Sequence, residues 1–168
     1  GRPLSPWPTV AGAAAPELLE SLKSPRRWIR QMAKVELRSQ GAAAAVPAFD
    51  AWAAAITGKS EGDLHQLLEA AWAREGVNEF SPVLLRRLWE SGDARAKAAA
   101  LRILTHRWRE FPDAMKILDA AVADADGLVR LWAVAVLADM RTPVAAATAL
   151  RVLDQPMDEP LDFALEQL

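Results

Sequence analysis

Apolar residues recur every three to four positions along most of the chain, the spacing that gathers side chains on one face of an α-helix. Alternation of apolar and polar residues, which would indicate strands, is short wherever it occurs. Alanine, the strongest helix former, is concentrated in runs such as 42–45, 98–100 and 145–147. The pattern therefore predicts an all-α protein.

The predicted helices form two alternating series, which we expect to pair antiparallel. The first series is predicted near 14–22, 45–57, 80–91, 112–124 and 143–154. The second series is predicted near 25–39, 62–75, 93–109, 127–140 and 158–168. Proline stands near the start of the last four first-series helices, where the missing N–H has no internal acceptor. These prolines are Pro47, Pro82, Pro112 and Pro143.

The second-series helices repeat one residue pattern. The segment DGLVRLWAVAVL from Asp126 aligns with DARAKAAALRIL from Asp93 at an offset of 33 residues. An earlier copy, RRWIRQMAKVEL, begins at Arg26, and a degenerate copy, DLHQLLEAAW, begins at Asp63. The basic position of the four copies is occupied by Arg30, His65, Lys97 and Arg130. A period of this length is typical of repeat proteins built from helix pairs.

Charged repeat positions have an expected structural role. Asp93, together with Ser91, is a predicted helix cap. Asp126, Arg130 and Lys97 are predicted to form a ladder of charges between repeats. Partly buried pairs of this kind specify register more than they add stability.

The sequences VRLWA at 129–133 and IRQMA at 29–33 place a basic residue after an apolar one and alanine three positions later. This pattern resembles HEAT repeats. The resemblance implies a right-handed α-α superhelix (a HEAT/ARM-like solenoid) of about five helix pairs over 14–168, after an extended proline-rich segment over 1–13. Leu161, Phe163, Leu165 and Leu168 form an apolar pattern that no following repeat covers, so we expect the array to continue beyond Leu168.

More narrowly, GDARAKAAALRILTHRW, FPDAMKILDAAVADADGLVRLWAVAVLADM and LRVLDQPMDEPLDFAL are similar to the HEAT region of large secreted bacterial proteins from Planctomycetes and Verrucomicrobia. In that family a β-propeller resembling sorbosone-type sugar dehydrogenases precedes the array, and a c-type haem domain often follows it. The resemblance covers roughly residues 16–168 and carries no catalytic residue. It implies a periplasmic or extracytoplasmic location.

Composition and motifs exclude several kinds of chemistry. The formal net charge of -2 argues against a dedicated nucleic-acid binder. The absence of cysteine excludes disulfides, thiolate metal sites and covalent haem attachment within this chain. His65 and His106 are followed by Gln66 and Arg107, so the repeated His-Glu pairs of HEAT-like di-iron hydroxylases are missing. The sequence predicts no catalytic residue, no metal, no cofactor and no membrane insertion.

Tryptophan is unusually frequent, with seven residues. Four of these, Trp52, Trp72, Trp89 and Trp108, fall at apolar positions and are predicted to be core. The other candidates share the face of the second-series helices that is turned away from the first series. A combination of arginine and tryptophan is enriched in interface hot spots. These candidate partner-binding residues are Trp28, Arg95, Arg102, His106, Arg109 and Trp132. The alternative is that the arginines form a solvated face and the two tryptophans are covered by neighbouring repeats.

Three functions remain open at this point. The leading interpretation is a non-catalytic HEAT scaffold that binds a protein or adjacent domains of the same polypeptide. The second is an accessory segment of an extracytoplasmic sugar dehydrogenase-like, haem-containing multidomain protein. The third is nucleic-acid binding, since residues 24–40 hold five basic and one acidic residue, a local charge of +4. Against the third, residues 61–75 hold four acidic and one basic residue, a local charge of -3.

Overall fold

The computed structural model describes residues 10–58 and 60–168, and these residues contain helices and no strand. The residues 1–9, which make up most of the predicted extended segment 1–13, lie outside the described residues. Ten α-helices run through the described part: α1 Ala15–Ser21, α2 Arg27–Gln40, α3 Ala42–Ala55, α4 Glu61–Gly76, α5 Pro82–Glu90, α6 Ala94–Arg107, α7 Ala114–Ala121, α8 Gly127–Met140, α9 Pro143–Leu150 and α10 Glu159–Leu165. Short 3-10 helices follow α6 and α9, at Trp108–Glu110 and Arg151–Asp154. The all-α prediction is confirmed.

The chain forms two compact units, one through Ser81 and the other from Pro82. In the first unit α1 packs on α2 and α3, and α2 also contacts α4. Their apolar faces meet in a core built around Leu18, Leu37 and Phe49, all with no exposed surface. Apolar burial of this kind is the main source of stability for a small helical unit.

Pro47 departs from the predicted position. The alanine run 42–45 begins α3 earlier than the sequence pattern indicated, so Pro47 lies inside the helix. Gly41, with φ of 80°, separates α2 from α3 and makes this early start possible. The missing N–H of Pro47 would have bonded to the carbonyl of Ala43, which is exposed and therefore accessible to water.

In the second unit α6 and α8 pack against each other. Helix α5 lies on α6, while α7, α9 and α10 lie on α8. A smaller cluster forms where Leu161 of α10 is buried with Val134 and Val152, and Leu165 packs against it. Of the apolar pattern expected to be uncovered near the C-terminus, Leu161 is therefore covered, whereas Phe163 is 64% exposed.

Side-chain caps begin several helices. Asp93 accepts a hydrogen bond from the Ala96 N–H at the start of α6, as predicted. Ser91 is not a cap: its hydroxyl donates to the Leu88 carbonyl and accepts from the Asp93 N–H, bracing the turn before α6. Capping of this kind satisfies N–H groups that the first helical turn leaves without partners.

Candidate binding surface

Arginines at the basic repeat positions form hydrogen bonds to backbone carbonyls inside each unit. Arg130 is almost completely buried and donates to the carbonyls of Asp124, Ala125 and Pro156 at 2.8, 2.9 and 2.6 Å. Arg30 donates in the same way to the Ser24 carbonyl at 2.8 Å, six residues back along the chain. Both arginines thus hold the loop that precedes their helix close to that helix.

The predicted ladder uses a different carboxylate. Asp126 does not pair with Lys97, because its carboxylate accepts the N–H groups of Leu128 and Val129 and caps α8. Lys97 instead bonds Asp124 at 2.9 Å. Burial raises the pKa of the Asp124 carboxyl, but the Asp126 backbone N–H and the Lys97 ammonium outweigh it, so the pKa lies below its ordinary value.

Glu69 is a structural residue that sequence reasoning missed. It lies on α4 with its side chain 3% exposed, and it accepts from Arg30 Nε at 2.8 Å and Lys34 Nζ at 2.6 Å, both on α2. His65, which the repeat alignment placed at the basic position, lies one turn away with Nε2 3.6 Å from the same carboxylate. A buried carboxylate needs such partners to offset its desolvation. The local +4 charge of residues 24–40 is therefore reduced at the surface by two internal ion pairs.

The four tryptophans predicted to be core are only half-buried. A cation lies over each ring: Lys23 over Trp52, Lys34 over Trp72, Lys97 over Trp89 and Arg109 over Trp108. Two of the indole N–H groups donate to carboxylates, Trp52 to Glu20 and Trp108 to Asp139, each at 3.0 Å. The rings combine apolar packing with a nearby cation, and two of them also donate a hydrogen bond, so they are half-buried rather than enclosed in the core.

The structure places five of the six candidate residues in the second unit. Arg95, Arg102 and His106 are exposed on α6, and Arg109 is exposed in the following 3-10 helix. The guanidinium of Arg102 lies 5.9 Å from the ring centre of half-buried Trp132 on α8. Leu128, one turn before Trp132 on α8, is 47% exposed. A basic stripe on α6 thus adjoins an apolar and aromatic stripe on α8.

Trp28, the sixth candidate, belongs to the first unit. It is 40% exposed on α2, and Met32 and Val35 are 48% and 51% exposed. Positions i, i+4 and i+7 share one helix face, so these three side chains form a continuous stripe, which we call the α2 stripe. The sequence pattern predicted the outward position of Trp28.

A groove in the second unit was not foreseen. It encloses about 410 Å³ between the turn after α6 and the turn after α8. Trp108, Met115, Met140 and Val144 supply apolar walls, and Arg109 lies at its margin. Its residues come from two segments, 108–115 and 140–144, which are 25 residues apart in sequence, so a local pattern does not predict it.

Among residues 10–58 and 60–168, no three histidine or carboxylate side chains converge in a way that would hold a metal ion. Within the same residues, none of the helices combines the length and apolar character needed to cross a bilayer.

The fold and surface define the class of the molecule: an all-α protein whose helices present exposed arginine, tryptophan and aliphatic side chains. No protein-family model, curated protein or solved structure matches the chain.

Proposed function

We propose that the chain is a non-catalytic HEAT-type scaffold that binds a protein, in trans or as another domain of the same polypeptide, through the outward face of its second-series helices. The observation that carries the proposal is the pairing of stripes on α6 and α8. There, Arg102 lies beside Trp132, and Arg95, His106 and Leu128 are exposed on the same two helices. Arginine and tryptophan at the centre of an interface contribute more binding energy than other residue types.

The contacts also distinguish arginines that form hydrogen bonds within the fold from an arginine that stays exposed. Arg30 and Arg130, at equivalent repeat positions, are used internally by loop carbonyls. Arg102 is exposed, and its only recorded contact in the described residues is the Trp132 ring. An exposed cation that forms no ion pair within the fold can bind the carboxylates of a partner.

The repeat arrangement is part of the proposal. The offset of 33 residues between the α6 and α8 sequences supports helix pairs stacked as a right-handed solenoid. Small-angle X-ray scattering tests this stacking in solution. A radius of gyration clearly above roughly 15 Å, the value for a compact domain of this length, supports it, and a value at 15 Å contradicts it.

Site-specific photo-crosslinking tests the binding face. A photoreactive amino acid replaces Arg95 on α6 or Leu128 on α8, and the matched control replaces exposed Lys116 on α7. In an extract of the source cells, we expect the first two positions to crosslink one common protein that Lys116 does not reach. The paired substitution Arg102→Ala and Trp132→Ala should abolish that crosslink. Equal crosslinking from Lys116, or no crosslink from either face position, contradicts the proposal.

A further inference from the structure

Among the described residues of the first unit, large apolar side chains are exposed at one place. All of those recorded in the described part of this unit, Trp28, Met32 and Val35, lie on the α2 stripe. The opposite face of α2 supplies Ala33 and Leu37 to the core, both with no exposed surface. At a rise of 1.5 Å per residue the stripe runs about 10 Å along the helix. Helix α2 is therefore apolar on two faces, and its own core uses one.

The charged residues of α2 separate into those that the fold uses and those that it does not. Arg30 and Lys34 bond to buried Glu69, and Glu36 accepts the Gly12 N–H at 3.1 Å. Arg27 and Arg38 are exposed, and within the described residues no ion pair is recorded for either.

The unused arginines frame the stripe. Arg27 and Arg38 are 11 positions apart, which is close to three helical turns, so they lie on the same flank of the α2 stripe, one at each end. Two fixed positive charges beside three apolar side chains form a surface that is complementary to an apolar segment with carboxylates along one edge.

We propose that the α2 stripe docks an acidic amphipathic helix of a partner protein, with apolar side chains of the partner on Trp28, Met32 and Val35 and its carboxylates at Arg27 and Arg38. This inference rests on the proposed function, because it names the chemistry of a protein partner at one face of the scaffold. Helix recognition by apolar anchors at i, i+4 and i+7 matches the spacing of the stripe. Methionine adapts to differently shaped anchors, and tryptophan provides a rigid one.

Other occupants fit the observations less well. Residues 1–9, outside the described part, contain Arg2 and no carboxylate, so they do not supply the complementary charge. An interfacial membrane helix buries a wide apolar face several ångströms deep. The side chains of the α2 stripe are already about half packed against the protein. Nucleic-acid affinity needs many phosphate contacts, and the stripe offers only the two arginines at its flank.

The test is selection of random 16-residue peptides displayed on phage against the 168-residue chain. We expect the enriched peptides to be net acidic, with apolar residues at i, i+3 or i+4, and i+7. For synthetic copies of these peptides, Trp28→Ala should weaken binding by on the order of tenfold. The double substitution Arg27→Glu and Arg38→Glu should weaken it by a similar factor. The matched controls, Val83→Ala and Arg141→Glu at other exposed positions, should leave binding unchanged.

Each contrary outcome overturns the inference. Enriched peptides that are neutral or basic contradict the charge argument, and failure to enrich any peptide contradicts the docking site itself. Peptides whose binding is lost in the Arg102→Ala and Trp132→Ala variant but kept in the α2 variants place the partner on α6 and α8. In that case this inference fails while the proposed function stands. Two further probes are 3:1 phosphatidylcholine–phosphatidylserine vesicles and a 20-nucleotide single-stranded DNA. Displacement of the peptide by either probe assigns the stripe to lipid or nucleic acid instead.

Discussion

Glu69 joins α4 to α2 through its buried carboxylate. Replacing it by the isosteric Gln removes the charge but keeps the side-chain volume, so the change tests electrostatics rather than packing. Two charge-assisted hydrogen bonds, from Arg30 and Lys34, lose their ionic acceptor. Each such bond contributes about 1.5–3 kcal/mol.

The expected loss is smaller than the sum of the two bonds. Arg30 keeps its hydrogen bond to the Ser24 carbonyl, and Lys34 is 21% exposed and keeps its contact with the Trp72 ring. Water and these contacts replace part of what the carboxylate supplied, so Glu69→Gln should lower the free energy of unfolding by about 2–4 kcal/mol. The assay is urea unfolding at pH 7, followed by tryptophan fluorescence and circular dichroism.

Two further variants make the outcome decisive. Glu75→Gln lies on the same helix and has no recorded ion pair among the described residues, so it should change the free energy of unfolding by less than about 0.5 kcal/mol. Replacing the whole set, Arg30→Leu, Lys34→Met and Glu69→Met, should recover part of the loss, because no charge is then left buried without a partner, although the Ser24 carbonyl loses its hydrogen bond from Arg30. If Glu69→Gln is no more destabilising than Glu75→Gln, the argument is refuted. If the triple variant is as unstable as Glu69→Gln, cations left buried without a partner do not account for the loss.

Three further predictions concern the core, a helix cap and pH. Phe49→Ala should cost about 3–5 kcal/mol because the ring has no exposed surface, whereas Val83→Ala at a 68% exposed site should cost little; urea unfolding checks both. Asp126→Ala should cost about 0.5–2 kcal/mol, since two N–H groups of α8 lose their acceptor, and Asp126→Asn should restore most of it in a thermal melt. The pKa of Asp124 is lowered in the fold, so its pairing with Lys97 stabilises above the unfolded pKa of about 3.9 and is lost as pH falls through the folded pKa. Stability measured between pH 6 and pH 2 should therefore fall less steeply in Asp124→Asn, and parallel curves for the two proteins would contradict this assignment.

Helix number and approximate bounds could be predicted because they depend on nearby residues. The cap at Asp93 follows from a side chain bonding an N–H three residues away. Pro143 fits at the first position of α9, since the first turn needs no internal acceptor there. Pro47 was placed wrongly by the same local rule. The helix propensity of the alanines before it exceeded the cost of a proline in the second turn. The position of the proline alone does not predict the difference between these two free energies.

The sequence predicted that charged repeat positions would pair, but it did not predict which carboxylate would pair with which cation. Two carboxylates, Asp124 and Asp126, lie two residues apart before α8, and either satisfies the sequence pattern of a ladder partner for Lys97. At the start of α8 the Asp126 carboxylate accepts hydrogen bonds from backbone N–H groups. Lys97 therefore pairs with Asp124 instead. Glu69 carried no sequence signal, because its partners are 35 and 39 residues away.

By itself, then, the sequence determined the all-α class, the ten helices of the described residues and the outward position of Trp28 and Arg102, since helical periodicity and capping act over three or four residues. The tertiary structure alone decided which carboxylate meets which cation, that Trp52 and Trp89 lie half-buried beneath lysines, and that Arg102 lies beside Trp132. These outcomes depend on how neighbouring helices pack. Packing brings several charged or apolar residues within a few ångströms of one another, and more than one of them could pair with a given residue. The sequence pattern does not show which of these pairs forms.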